Sequence, residues 1–155
     1  FFEETEPLIR KDYVETGKAK MVYKDLAFLG PESIAAAQAA QCAADQGKYW
    51  QYHDALYTIE YQEFLSSGNN EHTGNLNREL FEKIASDLKI DWNQFSQCFD
   101  SRKYKSEVEK DIAEAKSAMD RLSTPTIFVN DKIFQGALPY STFKDAIDAA
   151  LRQNK

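Results

Sequence analysis

Apolar positions at helical spacing alternate along this chain with short strand-like runs, and the two patterns predict an ordered series of elements. A helical pattern over residues 2–13 is interrupted by Pro7, which predicts a kink or a restart. No residue that favours a helix N-cap precedes this pattern, so we expect the helix to begin upstream of residue 1. The run over residues 19–24 is short and rich in strand formers, and it predicts a buried strand.

The middle of the chain has helical periodicity, and its turn residues separate one helix from the next. Residues 66–74 are polar and rich in turn formers, which predicts a loop between the second and third of these helices. Five helices are predicted here: one from Gly30-Pro31 to Gly47, one from about Tyr49 to Ile59, one that begins after an Asn77 cap, one that begins after an Asp91 cap, and one between Lys105 and Leu122.

The last third changes character and predicts a β-hairpin followed by a helix. Residues 126–129 and 132–135 are strand-like, and Asn130-Asp131 between them suits a two-residue turn because both residue types tolerate positive φ. A final amphipathic helix is predicted from about Ser141. Neither a repeat nor a linker is visible in the sequence, which therefore indicates one domain.

Composition and charge exclude several classes of protein. The chain has 155 residues, enough for one ordinary domain, and its 43% hydrophobic content excludes general disorder. It carries 19 Lys and Arg against 25 Asp and Glu, a net charge of −6, which argues against a nucleic-acid-binding surface. No apolar run approaches the ~18 residues of a membrane span.

Few residues suggest catalysis or metal binding on their own. His53-Asp54 invites a dyad interpretation, but adjacent helical residues point about 100° apart, so we expect a packed or capping histidine whose ring does not face Asp54. His72 lies in a polar loop without a ligand set, and we expect no metal site there. The sequence contains no phosphate-binding glycine loop and no serine nucleophile elbow, and we expect no cofactor.

The order of elements matches the plan of a thioredoxin fold with helices inserted between its halves. Residues 33–56 and the segment Ser123-Thr124-Pro125 to Asp131 resemble the helical insert and the cis-proline loop of DsbA-like thiol-disulfide oxidoreductases. Residues 136–143 are similar to the family's entry into its last helix. The resemblance implies an α/β fold with a thioredoxin-like part (residues 1–28 and 122–155) and an all-helical insertion (residues 31–121).

The resemblance also implies parts that this sequence lacks. The family carries a redox Cys-x-x-Cys at the start of its first helix, and we expect that pair just upstream of Phe1, which leaves no catalytic residue among these 155. It implies that Thr124 and Pro125, with a cis peptide bond, present backbone groups to an extended substrate. It further implies a missing central strand between residues 19–24 and 126–129. We expect that gap to be filled by an upstream segment or by a second copy.

Cys42 and Cys98, the two cysteines of the chain, permit three interpretations. The first is a structural disulfide between two helices of the insert, as the family resemblance suggests. The second is a pair of buried free thiols that behave as small hydrophobic side chains. The third, a redox pair, is disfavoured because neither cysteine lies in a Cys-x-x-Cys motif or clearly at a helix start.

Three functions follow from the resemblance. The first is a thiol-disulfide oxidoreductase that acts on cysteines of extracytoplasmic proteins, in the periplasm, secreted or anchored to a membrane, and that has a membrane or soluble redox partner. The second is a redox-dead peptide-binding module that uses the groove at Thr124 and Pro125. The third is a related transferase or isomerase with a non-thiol active site. Residues upstream of Phe1 would discriminate among them.

Overall fold

A computed structural model describes residues 1–68 and 74–153, and the chain divides into two compact units, Phe1–Lys24 with Met119–Lys155 and Asp25–Ala118. The helices are α1 (Glu6–Ile9), α2 (Pro31–Ala44), α3 (Tyr49–Ser66), α4 (Arg78–Asp87), α5 (Trp92–Asp100), α6 (Lys105–Ala118) and α7 (Tyr140–Gln153), and the strands are β1 (Thr126–Val129) and β2 (Lys132–Gln135). Among the residues so described, none of the helices combines the length and the apolar character that a membrane crossing requires.

The N-terminal segment forms α1 and then a π-helical stretch over Arg10–Val14. Residues 2–5 form turns rather than helix, and the amides of Thr5 and Glu6 both donate to the Phe1 carbonyl, at 2.8 and 3.0 Å. Pro7 lies in the first turn of α1, where its missing N–H leaves no helical bond unmade. The restart predicted at Pro7 is therefore confirmed, whereas the expectation that residues 2–5 continue a helix is wrong.

Strands β1 and β2 form an antiparallel hairpin in which Ile127 lies opposite Phe134 and Phe128 opposite Ile133. Asn130 occupies the turn with φ 55°, the positive value that the sequence prediction required. Since side chains alternate across a strand, one face of the hairpin packs inward while Phe128 and Ile133 stay exposed on the other.

The core of the unit that contains the termini lies between the N-terminal helical segment, the hairpin and α7. Phe143 is fully buried at its centre, and the rings of Phe1 and Phe134 each meet it edge-on at 5.5 Å between centroids. Ile9 and Ile147 complete this core. Burying aromatic rings in edge-to-face contact is favourable beyond the area removed from water, so these contacts hold the hairpin against α7.

The buried strand predicted over residues 19–24 is absent. Within residues 1–68 and 74–153, strand pairing is confined to β1 with β2. Residues 19–24 nevertheless alternate strictly, with Ala19, Met21 and Tyr23 half-buried and Lys20, Val22 and Lys24 exposed. The segment thus keeps the two-residue period of a strand, but a strand is defined by its ladder, and the described part of the chain supplies none here.

The Asp25–Ala118 unit is all helical and surrounds a core of small and aromatic side chains. Its most buried members are Ala39, Cys42, Ala43, Tyr52, Phe81, Ile84, Ala85 and Phe95. The small alanine side chains of α2 allow α3 and α5 to pack closely against it. Tyr52 donates to the Phe81 carbonyl at 3.1 Å, and burial raises its pKa, so the hydroxyl stays a neutral donor.

Two helix ends differ from the sequence prediction. Helix α3 continues past Ile59 to Ser66. At its C-terminal end the hydroxyls of Ser66 and Ser67 donate hydrogen bonds to the carbonyls of Glu63 and Phe64, in the last helical turn. The predicted loop over residues 66–74 is thus shortened, and residues 69–73, with His72, lie outside the described residues.

Helix α6 in turn stops at Ala118 instead of Leu122. Gln135 donates its side-chain amide to the Arg121 carbonyl at 3.1 Å. This contact ties the segment that follows α6 to strand β2.

Candidate functional site

The loop that precedes β1 is held in a defined conformation by hydrogen bonds at both of its ends. Thr126 Oγ1 donates to the Ser123 carbonyl at 2.7 Å, and the Gly136 amide donates to the Pro125 carbonyl at 2.8 Å. Gln135, at the end of β2, also binds the carbonyl of Arg121. The loop over residues 121–125 is therefore anchored to the hairpin rather than left free.

Thr124 and Pro125 are the last two residues of this loop before β1, and the peptide bond between them is cis. Thr124 is exposed and Pro125 half-buried, so a polypeptide can reach the loop from solvent. An anchored, exposed backbone segment next to a strand end is suited to binding an extended chain by main-chain hydrogen bonds. The loop thus presents exposed backbone beside the start of β1.

The structure joins Cys42 on α2 to Cys98 on α5 in a disulfide, with an S–S distance of 2.00 Å and Cα atoms 5.8 Å apart. Both residues are buried, with 1% and 7% of their surface exposed. The Tyr52 ring, stacked on Phe95 at 5.5 Å, belongs to the same cluster. A thiolate has to reach this disulfide from solvent to exchange with it, so its burial in the core suits a structural bond.

His53 and Asp54 correct an expectation. His53 Nδ1 lies 3.0 Å from Asp54 Oδ1, although neighbouring helical positions were expected to point apart. The Cα–Cβ directions do diverge, but rotation about the side-chain bonds brings the two polar atoms together. His53 is 3% exposed, and its ring lies against Tyr57 at 4.6 Å and Trp50 at 5.5 Å. His53 is a packed histidine, as predicted, but its contact with the Asp54 carboxylate was not predicted.

A buried carboxyl group that the sequence did not single out lies at the start of the helical unit. Asp25 accepts from Gln41 Nε2 at 2.7 Å, and its amide donates to Asp111 Oδ2 at 3.1 Å. Burial, with the negative charges of Asp111 and Glu107 added, raises the pKa of Asp25 to about 6 even though the Gln41 bond opposes the shift. The raised pKa depends on residues of α2 and α6 that are distant from Asp25 in sequence, so no local sequence pattern indicates it.

A polar cavity of about 260 Å³ lies in the unit that contains the termini. Its walls include two tyrosine–aspartate pairs: Tyr13 donates to Asp148 at 2.8 Å, and Tyr140 donates to Asp12. Lys144 also binds Asp148, at 2.6 Å. These groups already bind one another, so the cavity is lined by a satisfied network that ties the N-terminal segment to α7.

Metal binding finds no support in the part of the chain that the structure describes. Over residues 1–68 and 74–153, no group of three His, Cys, Asp or Glu side chains is arranged to hold a metal ion.

A family model described as Thioredoxin matches residues 1–149. The chain is a member of the thioredoxin family. Disulfide bond formation protein D of Bacillus subtilis is 28% identical over 151 residues, which cover 94% of this chain. The crystal structure of oxidised BdbD from Bacillus subtilis superposes with a TM-score of 0.82 at 25% identity and covers 97% of this chain and 78% of that one.

A third similarity concerns the fold alone. The crystal structure of Chlamydia trachomatis DsbA superposes with a TM-score of 0.80 at 22% identity, over 100% of this chain and 80% of the other. The predicted DsbA-like thioredoxin fold with its helix-rich architecture is thereby confirmed. The chain spans 63% of the length of the Bacillus subtilis protein D, so the activity of a whole protein of this kind is a matter for proposal.

Proposed function

We propose that this thioredoxin-family chain is the body of a thiol-disulfide oxidoreductase that acts on cysteines of extracytoplasmic proteins. The observation that carries the proposal is its similarity, over 94% of its residues, to a protein named for disulfide bond formation. The loop at Thr124 and Pro125, anchored to the hairpin and open to solvent, supports it with a surface for an extended substrate.

The reaction is exchange between a disulfide and two thiols. A thiolate attacks one sulfur of a disulfide, a mixed disulfide forms, and the other sulfur leaves as a thiolate. A second thiolate then attacks the mixed disulfide, so that one dithiol loses two electrons and two protons while the original disulfide gains them. The same steps run in either direction, and the relative reduction potentials decide which partner is oxidised.

The reactive pair of this proposal lies outside the 155 residues. Cys42 and Cys98 are the two cysteines of the sequence, and both are closed in a buried disulfide. The longer relative supports a further segment, since the present chain spans 63% of its length. We place the Cys-x-x-Cys pair in that segment, close to the N-terminal helical stretch.

We further propose that the same segment, or a second copy of the chain, adds a strand to the hairpin. Residues 19–24 have the alternating exposure of a strand, and β1 pairs on one side with β2. Extended segments with unpaired backbone groups are ready to accept a further strand. A thioredoxin-like part over residues 1–28 and 122–155, with residues 31–121 as its insertion, agrees with the two units observed.

An oxidising compartment outside the cytoplasm is the proposed location, whether periplasmic, secreted or membrane-anchored. Structural disulfides persist in such compartments and are rare in the cytosol, and the Cys42–Cys98 bond supports this assignment. A membrane or soluble redox partner would return the reactive pair to its working state, and cysteine-containing proteins would be the substrates.

The decisive experiment uses the full-length protein in an insulin-reduction assay and an oxidative refolding assay with a reduced substrate protein. We expect exchange activity that disappears when the upstream cysteines are replaced by alanine. Thr124→Trp, which places a bulky ring at the exposed end of the loop, should lower activity at least tenfold through substrate binding. Lys132→Trp is the matched control, since Lys132 is equally a surface residue but lies on β2.

One outcome would contradict the exchange activity, and another would contradict the role of the loop. A full-length sequence without a Cys-x-x-Cys pair within ten residues of Phe1 would favour the redox-dead peptide-binding module. Equal activity of the Thr124→Trp and Lys132→Trp variants would show that the loop does not bind the substrate, without contradicting the exchange reaction.

A further inference from the structure

Helix α3 is apolar on two opposite faces, which is unusual for a helix at the surface. Its inner face supplies Tyr52 and Leu56 to the core of the helical unit. Its outer face carries Trp50, Tyr57, Tyr61 and Phe64, each with between 36% and 42% of its surface exposed. A surface helix ordinarily places polar residues on the outer face, so the outer aromatic side chains require a separate explanation.

These four residues form one continuous stripe, which we call the α3 stripe. With Asp54 between the first two, the positions 50, 54, 57, 61 and 64 are separated by four, three, four and three residues. At about 100° per residue, they fall within a band roughly 80° wide, and the band is about 21 Å long. This spacing is that of a helix–helix seam, in which side chains of one helix insert between those of another.

The charged residues of α3 all carry the same sign. From residue 49 to residue 77 the sequence contains no lysine or arginine, while α3 itself carries Asp54, Glu60 and Glu63. The helical unit as a whole, residues 25–118, has sixteen Asp and Glu against nine Lys and Arg. A partner that covers the stripe therefore gains electrostatic attraction if it is basic.

The exposed area argues against a stable dimer through this face. Aromatic side chains bury about 150–250 Å² each when covered, so the exposed fractions of the four rings amount to about 230–380 Å². A stable interface needs about 800 Å² from each partner. A second copy of the chain would also place two acidic α3 helices against each other, and their negative charges would repel. An anionic lipid surface would be repelled by the same negative charges.

We propose that the α3 stripe is a docking site for a basic amphipathic helix of another polypeptide. The apolar side of that helix would pack along Trp50, Tyr57, Tyr61 and Phe64, while its lysine and arginine side chains would lie beside Asp54, within the stripe, and Glu60, next to its edge. The site lies on the helical unit and uses none of the residues assigned to thiol exchange. The small apolar area combined with opposite charges suits a transient, salt-sensitive complex.

Three labelled 21-residue peptides test this proposal against the full-length protein by fluorescence anisotropy. The first has leucines at heptad spacing with lysines on the other positions, the second replaces the lysines by glutamates, and the third scrambles the first. We expect the lysine peptide to bind at low salt, with binding weakened at least tenfold by 300 mM salt, and the other two peptides to bind at least tenfold more weakly.

Variants localise the binding. Tyr61→Ser with Phe64→Ser should weaken binding of the lysine peptide at least tenfold, and Tyr61→Lys should do so with a single substitution if the double variant fails to fold. Leu8→Ser is the matched control, because Leu8 is also an exposed apolar residue of a helix, 41% exposed, but belongs to α1. Its binding should stay within twofold of the original.

Several results would overturn the proposal. Equal binding of the lysine and glutamate peptides would show that the stripe is a non-specific apolar surface. Binding of the scrambled peptide as tight as that of the lysine peptide would exclude an amphipathic helix as the partner. Absence of binding at millimolar peptide, or insensitivity to the Tyr61 variants, would remove the site. Self-association that Tyr61→Lys abolishes in sedimentation would assign the stripe to a second copy instead.

Discussion

The Tyr13 hydroxyl donates a hydrogen bond to Asp148 across 135 positions of sequence, at 2.8 Å, and so joins the N-terminal helical segment to α7. Tyr140 donates to Asp12 in the opposite direction, from α7 back to the N-terminal segment. The two bonds are reciprocal, since each segment supplies one tyrosine and one aspartate. They fix the position of a segment whose few helical turns would not be stable alone.

Removal of either hydroxyl should therefore destabilise the protein. We expect Tyr13→Phe and Tyr140→Phe each to lower the free energy of unfolding by about 1 kcal/mol, because each loses one hydrogen bond to a carboxylate that water partly replaces. Urea titration followed by circular dichroism measures the change. Tyr61→Phe, at an exposed tyrosine of α3, is the control and should stay within about 0.5 kcal/mol.

Alkaline pH should weaken the same connection. Burial, together with the hydrogen bond to Asp148 and the charge of that group, raises the pKa of Tyr13 to about 12. The folded protein thus holds this proton more tightly than the unfolded chain, whose tyrosines have a pKa of about 10. The associated stability is complete below pH 10 and is lost as the pH rises through 12. Tyr13→Phe should remove this part of the alkaline loss, and an unchanged pH profile between pH 9 and 12 would contradict the assignment.

Asp25 should make the protein less stable at neutral than at mildly acidic pH. Its pKa of about 6 lies above the ~3.9 of an unfolded aspartate, so the folded state binds the proton more tightly and stability falls as the pH rises from about 4 to 6. Asp25→Asn keeps an acceptor for Gln41 and has no charge to bury. We expect the variant to gain about 2 kcal/mol relative to the original protein between pH 4 and pH 7.

Urea unfolding at several pH values tests this expectation. Asp145→Asn, on the exposed side of α7, serves as the control substitution. A constant difference between Asp25→Asn and the original protein over pH 4 to 7 would show that Asp25 is not the titrating group.

Two helix starts depend on caps that the sequence predicted and the structure confirms. Asn77 accepts from the Leu80 amide at 3.2 Å, and Asp91 accepts from the Gln94 amide at 3.0 Å. Asn77→Ala and Asp91→Ala should each cost about 1 kcal/mol of stability in urea unfolding. Asn93→Ala, an exposed position inside α5, should change stability by less than 0.5 kcal/mol, and an equal loss there would assign the effect to something other than capping.

These caps show which parts of the fold are predictable from the sequence. A cap, a proline start or a hairpin turn such as Asn130 is decided by residues a few positions apart, and such features are placed correctly. The strand over residues 19–24 was predicted wrongly because pairing depends on a partner elsewhere, which no local pattern can supply.

The candidate site divides in the same way. The loop at Thr124 and Pro125 was singled out by a family motif carried in contiguous sequence. The Asp25 cluster was missed because its members come from three separate segments that only tertiary packing brings together. The His53–Asp54 contact was missed because it depends on side-chain rotation rather than on helical spacing.

The Cys42–Cys98 bond should stabilise the helical unit without taking part in exchange. It closes a loop of 56 positions, for which the chain-entropy model gives about 4 kcal/mol of stabilisation. We expect the double variant Cys42→Ala with Cys98→Ala to lose about 3–4 kcal/mol in urea unfolding while the folded full-length protein keeps its exchange activity per molecule. Intact mass after alkylation, with and without reductant, reports whether the bond is closed in the original protein. Loss of exchange activity in a variant that is still folded would make this pair reactive and would contradict the structural role argued from its burial.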